Sequence, residues 1–126
     1  MIKELQSIQH LDYSVFEIIK MYSQKCNTYY HRDFENSCGI FREQESYPYC
    51  EFLAFDITNN SEITVGILKA TPSNEGVNYE KKFSCMLPKL KVTNNIMQII
   101  STFKSSNGDL ETFKNTLEKI CQERSI

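Results

Sequence analysis

The 126-residue chain is short of the features that define most functional classes. Its apolar runs, such as "FLAF", fall far below the roughly 20 residues a membrane helix needs, and "FEII" is broken by a glutamate. The first sixteen residues carry acidic side chains and interrupted apolar positions, not the apolar block of a signal peptide, so a cytoplasmic location is expected. No C-x-x-C, H-E-x-x-H, G-x-S-x-G or glycine-rich phosphate loop occurs anywhere. Glycine and proline number only four and three, and no low-complexity tract, repeat or linker divides the chain. A single globular domain over residues 1–126 is therefore expected.

The five cysteines (Cys26, Cys38, Cys50, Cys85 and Cys121) are odd in number, which argues for reduced thiols over a disulfide framework. Free cysteine acts more often as a small buried hydrophobe than as a reagent. The net charge of −2 hides an uneven distribution. Residues 33–80 carry −7, residues 81–126 carry +4 and residues 1–32 carry +1. An acidic central segment of this kind can steer a partner of opposite sign.

What is present is a clear order of elements. Leu11, Val15, Ile18, Ile19, Tyr22 and Cys26 share one helical face, Ser14 has capping-box spacing with Glu17, and Asn27 suits a left-handed stop. A short helical turn over residues 2–9 is expected before it. Residues 27–49 read as a long irregular connection holding one short strand at Cys38–Arg42. Strands follow at residues 50–57, 62–69 and 77–85, the first with apolar residues on both faces, as in a central strand. In the third, Val77, Tyr79, Phe83 and Cys85 alternate onto one side, and Lys81 and Lys82 suit an exposed edge. Two helices close the chain, the first capped by Asn95 with Gln98, the second by Asp109 with Leu110, Phe113, Leu117, Ile120 and Cys121 as its stripe. The expected fold is α+β: an N-terminal helix, an antiparallel three- or four-stranded meander, and two C-terminal helices packed on the sheet.

The densest chemistry is "YYHRDFEN", residues 29–36. Its H-R-D resembles a kinase catalytic loop only in letters, because Asn36 follows Asp33 by three residues where that loop needs five. His31, Asp33 and Cys38 contain the residue types of a thiol nucleophile with its base and orienting acid, and Cys26, His31, Cys38 and Cys50 those of a zinc site. Zinc ligands usually come in close pairs, and these gaps of 4, 6 and 11 residues are too wide. The basic stretch Lys81, Lys82, Lys89 and Lys91 is the argument for nucleic acid, opposed by the mixed charges of the last helix.

An interaction surface has stronger support. Tyr29, Tyr30, Phe34, Phe41, Tyr47 and Tyr49 interleave with Asp33, Glu35, Glu43, Glu45, Glu51 and Asp56. Tyrosine bears much of the binding energy at interfaces, and carboxylates around it complement a basic cleft. Expected contact residues are Tyr29, Tyr30, Asp33, Glu35, Glu43, Glu45, Tyr47 and Tyr49. The expected function is that of a non-enzymatic immunity protein neutralising a toxin, such as a nuclease, by blocking its basic cleft, without cofactor, metal, nucleic acid or membrane. A dimeric secretion-type chaperone is the alternative, and a thiol or zinc enzyme a more distant one.

Overall fold

The computed structural model describes residues 15–122 apart from Asn60 and Gly108. Leu11, Ser14 and the turn expected over residues 2–9 lie outside the described residues. Helix α1 runs over residues 15–25 and ends where Asn27 adopts φ 55°, the left-handed stop its side chain tolerates. The Lys104 ammonium donates to the freed carbonyls of Cys26 and Asn27, at 2.8 and 3.0 Å.

Five antiparallel strands follow in sequential order: β1 Tyr29–Phe34, β2 Ser37–Phe41, β3 Glu51–Ile57, β4 Glu62–Ser73 and β5 Gly76–Pro88. The expected three- or four-stranded meander is thus five-stranded. Strand β1 was hidden in the segment expected to be irregular, because its polar residues break the apolar alternation that marks a strand. Strand β5 is an edge, as its lysines suggested. Strand β3 is central and apolar on both sides, with Leu53 and Phe55 on one face and Phe52 and Ala54 on the other.

After the sheet come α2 Lys89–Asn94, α3 Ile96–Ser105 and α4 Leu110–Gln122. The short α2 was not expected; only Val92 of its six residues is buried, too weak a pattern to read. The expected side-chain cap of α3 by Asn95 is not made: its Nδ2–H donates instead to the Lys91 carbonyl of α2 at 2.7 Å. Asp109 does cap α4, accepting from the Thr112 amide at 3.2 Å. Lys91 closes the other end of α4, donating to the carbonyls of Ile120 and Cys121 at 3.1 and 2.6 Å.

The helices cover one face of the sheet. Val15, Phe16 and Ile19 of α1, Ile99, Ile100 and Phe103 of α3, and Phe113, Leu117 and Ile120 of α4 form one core with Ile40, Leu53, Phe55, Val65, Ile67 and Leu87. Cys121 is exposed and lies outside the buried stripe of α4 where it was expected. Among the described residues, no helix is long and apolar enough to cross a membrane. Among the described residues, no helix packs on the opposite face of the sheet. That face holds a second, smaller cluster of Phe41, Phe52 and Ala70, with Tyr29, Cys50, Leu68 and Val77 against it.

Candidate functional site

The face of the sheet away from the described helices, the open face, holds a cavity of about 350 Å³. Its floor is made by Gly39, Phe52, Ala54 and Leu68 on the inner strands, and its walls by His31, Asp33, Tyr47, Asp56 and Tyr79. His31 and Asp33 come from one edge strand and Tyr79 from the other, so the sheet curls until its two edges line one space.

Two local irregularities supply the walls. Between Arg32 and Phe34 the β1–β2 register slips, leaving Asp33 as an extra residue at the rim. In β5, Leu68 faces Lys81 while Ile67 faces Phe83, which leaves Lys82 unpaired in a bulge. The bulge corrects the expected alternation: Phe83 and Cys85 turn to the helix side, whereas Val77 and Tyr79 lie on the open face beside Pro72 and Ala70. Gly66 lies directly across from the bulged strand, where a Cβ would come within 2.7 Å of the Phe83 carbonyl oxygen.

The connection from β2 to β3 folds back over the open face. A 3-10 turn at Gln44–Ser46 is closed by Ser46 Oγ donating to the Glu43 carbonyl at 2.7 Å, and a cis Tyr47–Pro48 peptide follows. Tyr47 is thereby set edge-on against Phe41 at 5.0 Å, 5.6 Å from Tyr29 and 4.6 Å from the His31 ring. Its hydroxyl shares a hydrogen bond of 3.1 Å with His31 Nε2. Phe41 stacks on Phe52 at 4.8 Å, and Phe52 meets Tyr79 edge-on at 6.1 Å. The result is one connected train of rings, arranged in the offset and edge-to-face contacts that aromatic quadrupoles favour.

Charge in the cavity is of one sign. Asp33 and Asp56 line it, and no lysine or arginine does so among the described residues. Burial, then the neighbouring Asp33 carboxylate and Tyr47, push the Tyr79 phenol above its ordinary pKa.

The eight expected contact residues divide into three groups. Asp33 and Tyr47 line the cavity, with Tyr29 packed against Tyr47 beside it. Glu35, Glu43, Glu45 and Tyr49 are exposed on the β1–β2 and β2–β3 connections and do not line the cavity. Tyr30 faces the other way, into the helix-side core, where burial pushes its phenol up to about 12. Phe52 and Tyr79 were absent from the expected set. The apolar residues on both faces of β3 were the signal for Phe52, while Tyr79 depends on a bulge with no local signature.

His31 and Cys38 do not meet as base and thiol. In the β1–β2 register His31 pairs with Gly39 and Arg32 with Cys38, which turns the imidazole to the open face and the thiol to the core. Burial pushes the Cys38 thiol up to about 12, the reverse of an activated nucleophile. The four cysteine and histidine residues weighed for zinc are dispersed. Cys26 Sγ sits 3.3 Å from Ser101 Oγ, Cys38 is in the main core, and Cys50 packs on the open-face cluster. Among the described residues, no group of three or more His, Cys, Asp or Glu is placed to hold a metal.

Comparison of the chain with protein-family models, with curated proteins and with solved structures returns no significant match.

Proposed function

We propose that the protein is a non-catalytic binding protein of the immunity type, which neutralises a toxin such as a nuclease by covering the toxin's basic cleft. The observation that carries this reading is the cavity on the sheet face away from the helices, lined by aromatic rings and two aspartates and, among the described residues, by no lysine or arginine. Rings of this kind supply large rigid contact area at low entropic cost, and the carboxylates complement a groove built for phosphate. Glu35, Glu43, Glu45 and Tyr49, exposed on the β1–β2 and β2–β3 connections, are further acidic and aromatic contact residues in this reading. The separation of His31 from the Cys38 thiol supports the non-catalytic part of the reading. Such a protein acts in the cytoplasm, where the producing cell must protect itself.

Co-expression tests the proposal. The protein encoded by the adjacent gene is induced with and without this chain, and survival is counted. Protection together with a 1:1 complex in calorimetry supports the proposal. Toxicity that is unaffected by the chain, or the lack of any complex at micromolar concentrations, removes it.

A further inference from the structure

The cavity has properties that select among partners more narrowly than its acidity does. At about 350 Å³ it lies near the lower end of the roughly 300–1,000 Å³ range of ligand sites, room for one inserted side chain but not for a large cofactor. Phe41, Phe52, Tyr79 and Tyr47 bring aromatic rings to it from β2, β3, β5 and the β2–β3 connection, with Tyr47 and Tyr79 the exposed ones. The negative face of an aromatic ring attracts a cation, and does so more strongly when water is displaced. Asp33 and Asp56 add full negative charges from β1 and β3.

A planar cation that stacks on rings while donating to carboxylates answers all of these features together. Lysine offers a strongly hydrated point charge, whereas a guanidinium stacks flat and donates in a fixed fork. We infer that the cavity receives the guanidinium of an arginine presented by the protein partner. The inference rests on the binding function proposed above and names the chemical group that anchors it. The inserted guanidinium packs against the exposed rings of Tyr47 and Tyr79 and donates to Asp33 and Asp56. An arginine that a phosphate-binding cleft would otherwise offer to nucleic acid is thereby sequestered.

The test needs no partner protein. N-acetyl-arginine amide is titrated into 15N-labelled protein, with N-acetyl-citrulline amide as a neutral control of nearly the same shape. The expected result is saturable amide shifts at Asp33, Gly39, Asp56 and Tyr79 in the millimolar range, with none from the citrulline compound. Asp33→Asn and Asp56→Asn each weaken the arginine probe by about 1.5- to five-fold, as expected of an exposed charge pair. Both aspartates are exposed, so the folded spectrum is retained in these variants. Equal shifts from arginine and citrulline, shifts confined to the helix side, or no saturation at tens of millimolar would each overturn the inference. If the protective complex forms but the arginine probe fails, the cation claim falls and the binding function stands. If the probe binds and no protein partner is protected against, the cavity claim stands and the immunity function falls.

Discussion

Tyr47 is the residue on which the open-face site is built, and its removal has a calculable cost. Its ring touches Tyr29, His31 and Phe41, its hydroxyl bonds His31 Nε2, and it is 36% exposed. Truncating a fully buried phenylalanine or tryptophan to alanine costs about 3–5 kcal/mol. Scaled for the exposed third, Tyr47→Ala costs about 2–3 kcal/mol. Tyr47→Phe keeps the ring contacts and loses one hydrogen bond, about 0.5–1.5 kcal/mol. In a domain of this size each kcal/mol moves the midpoint by roughly 3–6 °C, so the alanine variant should melt about 6–18 °C lower. Urea denaturation with matched m-values reads both variants on one scale. An alanine variant within about 0.5 kcal/mol of the parent would refute the reasoning, since the connection over residues 42–50 would then be held by something other than this ring.

Other perturbations separate the two faces. Gly66→Ala forces a Cβ to within 2.7 Å of a backbone oxygen that cannot rotate away, and should cost about 1–3 kcal/mol in the same denaturation assay. Gly39→Ala, whose Cβ would sit 3.2 and 3.3 Å from the rings of Phe52 and Phe41, should weaken arginine-probe binding because it fills the cavity floor. A thiol reagent followed by mass spectrometry should modify exposed Cys121 first and buried Cys38 only on unfolding; early labelling of Cys38 would contradict its burial. Burial raises the pKa of Cys38 and Tyr30 to about 12 and of Cys85 to about 11, so the stability they confer is fully present below their unfolded values and is lost as pH rises through the folded ones. Denaturation should therefore show stability falling from about pH 9 upward, and Cys38→Ala should reduce that slope by up to about 1.4 kcal/mol per pH unit. Hydrogen bonds from the Thr112 side chain and backbone hold the Asp109 carboxyl below its ordinary pKa. Its contribution is present above the usual carboxylate range and lost as pH falls through the lowered value, so Asp109→Ala should lower Tm at neutral pH and have less effect near pH 3.

The parts of this fold that could be read in the sequence are those whose signal is periodic and local. The spacing of Val15, Ile19 and Tyr22 marked α1, the two-sided apolar pattern of "CEFLAFDI" marked the central strand, and Asp109 marked the start of α4. Strand β1 escaped because His31 and Asp33 face a cavity, so the residues that make it a site are the same ones that erase its strand pattern. Tyr79 escaped for a different reason. A bulge at Lys82 shifts side-chain parity by one, and no residue type announces where such an insertion falls. Tyr30 shows the limit of composition-based reasoning, since a tyrosine beside Tyr29 in sequence lies on the opposite face of the sheet.

The most direct test of the open face as the binding surface is a calorimetric titration with the protein encoded by the adjacent gene. The double variant Asp33→Lys/Asp56→Lys is compared with Glu111→Lys/Glu118→Lys, which reverses as many charges on the exposed side of α4. Loss of the 1:1 complex in the first variant and its retention in the second is the expected result. Equal affinity in both variants, or loss only in the α4 variant, would contradict the assignment of the surface.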